Sequence, residues 1–323
     1  MQATAQAQPN IALIKYWGKR QTKLNLPAVG SLSITLDSLW TRTYVRFDSG
    51  LEKDEFHLNG QLDTIRCRRV SQCLDLMRRR ANISYCAAVV SENNFPTEAG
   101  LASSASGFAA LVLASSKALG LDLTDEELSE IARQSSGSAA RSIFGGFVEM
   151  ELGHCKDGSD AIAHPLIGPE EWPLHVVVVI TSDRTKIIGS TEGMQRTSLS
   201  SPYYQAWIQN HVSDIEAAKH AIASRDFYAL ADISEHNCLK MHGLALSTRP
   251  ALIYWNGATV ECMNCVRDLR ASGTAAFFTI DAGPQVKVVC APSETQKVMD
   301  ALRNVPGVLR VLNSCIGQGA RLL

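Results

Sequence analysis

The chain lacks a surplus of either charge: 31 Lys and Arg face 32 Asp and Glu, a formal net charge of −1. That balance gives no electrostatic reason to expect nucleic acid or a membrane surface as a partner. No apolar run approaches the ~20 residues of a membrane-spanning helix, the longest being the strand-like stretch 174–180. The opening segment, Met-Gln-Ala-Thr-Ala-Gln-Ala-Gln, has neither a basic start nor an apolar stretch. The expectation is therefore a protein without a secretory leader that stays in the cytoplasm. Nine scattered cysteines, an odd number, fit reduced thiols better than a disulfide framework. Cys262 and Cys265 form a Cys-x-x-Cys, but no second Cys or His pair has ligand spacing, so they read as ordinary helix positions. Repeats and low-complexity linkers are absent, and so is the Gly-Lys-Ser/Thr ending of a Walker loop.

What is present predicts a mixed α+β fold. At 323 residues the chain exceeds what one ordinary core supports, so two lobes sharing a cleft are expected. Strands are expected at 11–17, 31–36, 41–47 and 83–90, with a helix near 62–79. Helices at 101–119 and 125–134 and a Gly-rich turn at 136–146 follow. After a strand at 174–180 come long helices at 202–223, 226–246 and 250–270. Strands at 275–281 and 286–290, a helix at 294–303 and a strand at 308–313 close the pattern. The division is expected near Asp183, giving lobes 1–183 and 184–323.

Residues 93–107, Asn-Asn-Phe-Pro-Thr-Glu-Ala-Gly-Leu-Ala-Ser-Ser-Ala-Ser-Gly, are the most informative run. A turn signal from Pro96 to Gly100 leads through small side chains into an apolar helical pattern at Phe108, Leu111, Val112 and Leu119. Such a helix start exposes backbone N–H donors and the positive dipole end, a seat for a nucleotide phosphate. Close packing of a Gly/Ala/Ser-rich helix is the plainer reading.

Four other segments carry chemistry. In 9–20, a strand ends in Lys15, Tyr16, Lys19 and Arg20, donors suited to a highly charged phosphate group or merely a solvated basic turn. Strand alternation after Ile14 turns Lys15 toward a cleft. In 133–142, Ser136-Gly137-Ser138 precedes Arg141 by a helical spacing, so hydroxyls and a guanidinium fork can face one anion, unless they only cap a helix. Ser190 and Thr191, in a flexible-looking lobe junction 186–194, are either ligand contacts or helix caps. Asp281 stands where an apolar strand meets the turn Ala282-Gly283-Pro284, placed to cap that turn or to orient or deprotonate a substrate hydroxyl.

The run at 96–104 resembles the phosphate loop of the GHMP small-molecule kinase superfamily. Together with Lys-Tyr-Trp-Gly-Lys at 15–19, Ser-Gly-Ser-x-x-Arg-Ser at 136–142, Gly-Ser-Thr-x-Gly-Met at 189–194, Met241-His242, Tyr254-Trp255 and Asp-Ala-Gly-Pro at 281–284, the order of motifs is similar to the mevalonate diphosphate decarboxylase family from Pro9 nearly to Gly319. The resemblance implies a ribosomal-S5-like N-terminal lobe that binds nucleotide and a ferredoxin-like C-terminal lobe. It also implies ATP-dependent conversion of (R)-5-diphosphomevalonate to isopentenyl diphosphate, with ADP, phosphate and carbon dioxide released. Asp281 would orient or deprotonate the 3-hydroxyl, Lys15 support the transferring group, and Arg141 clamp the carboxylate. Tyr16, Lys19, Ser136, Gly137 and Ser138 would hold the 5-diphosphate and mevalonyl body, with Ser190 and Thr191 as further substrate contacts. Gly100, Leu101, Ala102, Ser103 and Ser104 would cradle the phosphates of ATP, with Mg²⁺ on ligands the sequence does not identify. A homodimer is implied, without an interface. Sister activities on the same fold, a phosphomevalonate decarboxylase or a mevalonate 3-kinase, and a catalytically dead nucleotide-binding module stand as alternatives. The chain departs from the family pattern at Glu98, at Val29-Gly30 and at Gln285, and a carboxylate at 98 puts nucleotide affinity in question.

Overall fold

The computed structural model describes residues 1–95, 103–184 and 187–323. The expectations on Gly100, Leu101, Ala102 and Glu98 lie outside the described residues.

Two sheets build the first half of the chain. One runs, in spatial order, Arg321–Leu322, Gln2–Ala7, Thr41–Asp48, Cys86–Asn93, Glu55–Leu58 and Gln61–Leu62. The other runs Ala163–Ile167, Phe147–Met150, Ser31–Thr35 and Asn10–Ile14. Thr41–Asp48 shows why such segments become strands. Thr41, Thr43, Val45 and Phe47 are buried while Arg42 and Arg46 face solvent, a period of two that only a pleated strand satisfies. The helix Thr64–Ala81 starts on Asp63, whose carboxylate accepts from the Arg66 N–H, and closes on Asn82 in the left-handed region. The helix Asp125–Ser135 starts on a Thr124/Glu127 capping box.

The helix Ser103–Ala118 bears out the close-packing reading of its small residues. It packs on Gln2–Ala7, on Thr41–Asp48 and on the turn Ala139–Ile143, and its Ala105, Ala109, Ala110 and Ala114 are completely buried. A helix covered on nearly every side needs alanine where a bulkier surface helix would use Lys or Glu. Its N-terminus is thereby fixed at the edge of the central cleft.

The second half is built on an antiparallel sheet ordered Ala276–Ile280, Val286–Cys290, His175–Ile180 and Arg310–Cys315. Numbered along the chain this is 2-3-1-4, with helices after the first and third strands, the ferredoxin-like split βαβ arrangement expected. His175–Ile180 belongs to this sheet, so sheet membership groups it with the later elements, ahead of Asp183. The helices Tyr204–Ser224 and Phe227–Leu246 pack on each other and against Asn10–Ile14, closing an apolar core shared by both halves. No helix among the described residues is long and apolar enough to cross a membrane.

Several boundaries differ from expectation for identifiable reasons. The strand expected at 11–17 ends at Ile14, and Gly18 turns the chain at φ 110°. The strand expected at 83–90 is Cys86–Asn93, because the N–H of Ile83 still closes the preceding helix on the Arg78 carbonyl. Residues 136–146 form a 3₁₀ turn, Ala139–Ile143, and not an α-helix start, so no helix dipole is aimed from it. A separate helix, Ser190–Ser200, precedes Tyr204–Ser224, and the helix expected from 250 begins at Gly257 on an Asn256 capping box. Gln2–Ala7 escaped the sequence reading because, Thr4 apart, its Gln and Ala residues carry no β-branched or aromatic signal.

Two buried histidines make the fold acid-sensitive. Burial lowers His211 to about 4 and His242 to about 3, the latter helped by Lys15. Both rings are neutral in the folded protein but take a proton in the unfolded chain below pH 6.5. Stability therefore falls as pH drops through that value, at up to about 1.4 kcal/mol per pH unit per histidine. Thermal melts from pH 7.5 to 4.5 are expected to show a declining midpoint, with a shallower slope for His211→Gln.

Candidate active site

The cleft is organised around one carboxylate and three buried cations. After a bulge in its pairing with Ser31–Thr35, the strand Asn10–Ile14 releases Lys15, whose backbone N–H is pinned by Asn237 Oδ1 at 2.8 Å. The Lys15 ammonium donates to the Ala12 carbonyl at 2.8 Å and to Asp281 Oδ1 at 2.9 Å. Asp281 follows the last residue of Ala276–Ile280. That strand end is held from the helix Phe227–Leu246: His242 Nε2 donates to the Ile280 carbonyl at 3.2 Å, and Cys238 exchanges hydrogen bonds with Ile280 at 3.2 and 3.4 Å. A second ammonium, Lys287 on Val286–Cys290, lies 3.3 Å from Asp281 Oδ2. Burial pushes the Asp281 carboxyl up, but Lys15 and then Lys287 more than reverse this and hold it far below the usual carboxylate range.

Arg141 is the third buried cation, only 2% exposed. Its Nε donates to Ser33 Oγ at 2.9 Å, its two terminal nitrogens to Ser31 Oγ and, at 3.2 Å, to Asn10 Oδ1. All three partners are neutral. Burial lowers it to about 10, partly offset by Asp281 and Tyr16, so it stays charged at neutral pH. Among the described residues the deep site thus holds Lys15, Lys287 and Arg141 against Asp281 alone. A buried excess of positive charge is costly unless an anion completes it.

The other end of the cleft carries hydroxyls and two more cations. The Tyr16 ring lies over Gly137, where an added Cβ would come 2.4 Å from the phenol oxygen, so only glycine permits the approach. The Tyr16 hydroxyl is buried without a hydrogen-bond partner, an unfilled polar group at the cavity wall. Ser136 Oγ donates to Ser104 Oγ at 3.4 Å, tying the turn to the start of Ser103–Ala118. Lys19 donates to Asn25 Oδ1 at 2.6 Å, and burial, then Arg69, lowers it to about 8.

Lys15, Tyr16, Lys19, Ser104, Ser136, Gly137, Ser138, Arg141, Ser190, Thr191 and Asp281 all line one cavity of about 190 Å³. The trio separated by 126 and 140 residues in sequence meets there. Ser190 and Thr191 open the helix Ser190–Ser200 at the cavity rim, where Gly189 occupies the cap position, so neither is the cap. Ser103 lines an adjoining cavity of about 160 Å³, walled by Phe56, Leu58, Val70, Val89, Phe108 and Leu111, and the two cavities share Ser104 and Arg69.

Sequence reasoning missed five participants. Arg69 stacks over Phe108 at 5.0 Å, but one arginine among six on its helix carries no distinguishing mark. Ser31 and Ser33 sit two apart with Leu32 and Ile34 between, a pattern that shows they share a face without showing whose. Asn10 was quoted only as part of a motif. Lys287 carried the clearest overlooked signal, a lone lysine in the apolar strand Val-Lys-Val-Val-Cys. Two of the departures have structural homes. Gln285 accepts from the Thr181 N–H at 2.7 Å and donates to the Ser182 carbonyl, and the Gly30 carbonyl accepts from His211 Nε2 at 2.8 Å.

A two-lobed α+β chain with a small-residue helix start beside a cleft lined by Lys15, Lys19, Arg69 and Arg141 defines the class: a GHMP-type enzyme acting on a small phosphorylated molecule. Comparison with known proteins narrows this. Residues 7–163 match the diphosphomevalonate decarboxylase-like N-terminal domain and residues 176–317 the mevalonate 5-diphosphate decarboxylase C-terminal domain. Diphosphomevalonate decarboxylase of Candida albicans is 38% identical over 98% of this chain and 96% of its own length. Mevalonate diphosphate decarboxylase from Staphylococcus aureus superposes with a TM-score of 0.93 at 37% identity, covering 100% of this chain and 98% of that one. A structure of MDDEF in complex with MVAPP, AMPPCP and magnesium gives 0.93 at 39% identity over 100% and 99%. The chain belongs to the diphosphomevalonate decarboxylase family.

Proposed function

We propose that the protein converts (R)-5-diphosphomevalonate and ATP to isopentenyl diphosphate, ADP, phosphate and carbon dioxide. The observation that carries this reading is the deep site itself: one ionised carboxylate and two buried cations, Lys15 and Arg141, on the cavity that Tyr16 and Lys19 also line, with Lys287 behind the carboxylate. A substrate with a carboxylate at one end, a tertiary hydroxyl between and a diphosphate at the other fits that order of groups.

A tertiary hydroxide is a poor leaving group, and phosphorylation of the 3-oxygen makes it a good one. Asp281 accepts the hydroxyl's hydrogen bond and aims its oxygen at the γ-phosphorus. Held so far down in pKa, Asp281 is a weak base. A loose phosphoryl-transfer transition state needs little deprotonation of its nucleophile, so orientation and late proton acceptance suffice. Lys15 supports the negative oxygens of the transferring group. The 3-phosphate then leaves with the electron pair of the carbon–oxygen bond. The bond between the carboxylate carbon and its neighbour breaks, its electrons form the new double bond, and carbon dioxide departs. Arg141 keeps the carboxylate aligned for that cleavage.

The start of Ser103–Ala118 and Ser104 fit the phosphates of ATP, and the adjoining apolar cavity fits a base. Mg²⁺, when bound, neutralises charge on those phosphates. Among the described residues no cluster of His, Cys, Asp and Glu forms a cation cage, and an ion carried mainly by phosphate oxygens and waters requires none. On sheet membership we place the lobe division in the connection before His175, and we read the protein as a cytoplasmic homodimer, which sedimentation at micromolar concentration would test.

Purified protein given ATP, Mg²⁺ and the 5-diphosphate is expected to release ADP and carbon dioxide one for one, with the 5-monophosphate a poor substitute. ADP alone would indicate a kinase, preference for the monophosphate the sister decarboxylase, and neither product a binding module. The titration of Lys19 near 8 adds a pH signature. Its charge is present below that value and lost above it, so KM for the diphosphate substrate is expected to rise several-fold, on the order of one lost charge-assisted hydrogen bond, between pH 7 and 9.5. Lys19→Arg should flatten this rise.

A further inference from the structure

We propose that Lys287 is a positioning residue for this reaction, acting through Asp281 by holding its Oδ2 and keeping the carboxylate ionised and aimed. The inference rests on the decarboxylase reading. Lys287 is 1% exposed and sits between Val286 and Val288, which are completely buried. Its strand neighbours in register are Thr279 and Val178, so it shares the sheet face of Val178 and Val289, turned toward the core that includes Ile11, Leu13 and Ile14. A lysine among such residues costs desolvation energy that a valine or methionine would avoid. Burial among these residues gives no reason for it; its polar contacts include Asp281 and, at 3.4 Å, the Gln285 carbonyl.

The geometry supplies another reason. Lys287 does not line the cavity, whereas Lys15 and Asp281 do, so its route to the substrate runs through the carboxylate it pairs with at 3.3 Å. With Lys15 on Oδ1 and Lys287 on Oδ2, the carboxylate plane is fixed from both sides. Among the described residues, every charged or titratable group facing Asp281 acts in the same sense or is neutral. Lys15 comes from the end of Asn10–Ile14, Arg141 from the turn Ala139–Ile143, and Lys287 from the sheet. From the helix Phe227–Leu246, His242 is held neutral by burial and Cys238 is held as a thiol by burial. Removing the Lys287 charge leaves the burial that favours the protonated acid and deletes one of two opposing ion pairs. The sign follows: Asp281 then protonates at a higher pH, and activity acquires or raises an acid limb.

The test is kcat against pH from 5 to 8.5, both substrates saturating, for the parent enzyme, Lys287→Met and Lys287→Arg, with nucleotide KM measured alongside. Ionisations of the substrate phosphates are common to all three and cancel in the comparison. Lys287→Met is expected to lose about tenfold or more in kcat at pH 7.5 and to show an acid limb inside this pH range that the parent, whose carboxylate is held ionised far below it, lacks, with nucleotide KM within about twofold. Lys287→Arg should remove that limb again. An equal loss at every pH in both variants, or no loss, overturns the proposal. Should Lys287→Met fail to fold, the pair Lys287→Met with Asp281→Asn decides: restored folding supports a charge partnership, and continued unfolding marks Lys287 as packing only. An active parent with no such limb in Lys287→Met sinks this inference alone, and a parent forming neither ADP nor carbon dioxide sinks the function with it.

Discussion

Asp281→Asn is expected to lower kcat by about a thousandfold while nucleotide affinity changes by no more than a few-fold. Asparagine keeps the shape and one acceptor, so the 3-hydroxyl still finds a partner. It cannot take the proton, and it cannot balance two ammoniums. The same substitution has a structural signature. Lys15 and Lys287 are each 1% exposed and pair with this carboxylate, so removing its charge leaves two buried cations without their counter-ion. Breaking one side of a buried ion pair costs on the order of 3–5 kcal/mol, so the thermal midpoint should drop by several degrees with the protein still folded. Differential scanning calorimetry and an ADP assay on the same preparation check both halves. A melt unchanged from the parent would mean the lysines do not depend on Asp281, and retained turnover would remove it from the chemistry.

Arg141→Gln is expected to be nearly as damaging to catalysis with the opposite effect on stability. The guanidinium is buried against Ser31, Ser33 and Asn10, none of which carries charge. On the proposed reading its partner is the substrate carboxylate, absent from the free protein, and within the chain Asp281 and Tyr16 offset only part of its burial cost. Loss of a bidentate charge-assisted contact of about 3–4 kcal/mol should reduce kcat/KM by about 10²–10³. Carbon dioxide release should lag ADP formation, because the carboxylate is no longer aligned once the 3-phosphate has formed. Stability should be unchanged or higher, since an uncompensated buried cation has been removed. A lowered melt would show that Arg141 is a structural strut, and an unchanged product ratio with unchanged rate would take it out of the site.

The contrast between these variants reflects how unevenly the site was written in the sequence. Lys15, Arg141 and Asp281 were legible because each interrupts a strong local pattern: a lysine after a run of strand residues, an arginine in a serine- and alanine-rich turn, an acid between an apolar strand and Gly-Pro. Lys287 obeys the same logic but has no motif around it. Arg69 is invisible by that logic, since only the approach of Thr64–Ala81 to Phe108 tells it from Arg66 and Arg68. The order of strands and helices was legible wherever periodicity is strong, as in Thr41–Asp48 and Asp125–Ser135. It failed where the governing interactions are distant. Phe147–Met150 is a short strand paired with Ser31–Thr35, a partner far away in sequence, and Ala163–Ile167 in turn forms on its other edge. The turn Ala139–Ile143 departs from an α-helix, and its backbone is tied into the fold by the Ser138 carbonyl, which accepts from Asn10 Nδ2 at 2.9 Å.

The most direct test of the account is a crystal structure of the protein with mevalonate 5-diphosphate bound. The carboxylate should sit on the Arg141 guanidinium, the 3-hydroxyl within hydrogen-bonding reach of Asp281, and the diphosphate among Tyr16, Lys19 and the Ser136–Ser138 turn. A substrate bound in the reverse sense, with its diphosphate on Arg141 and its carboxylate toward Lys19, would contradict it.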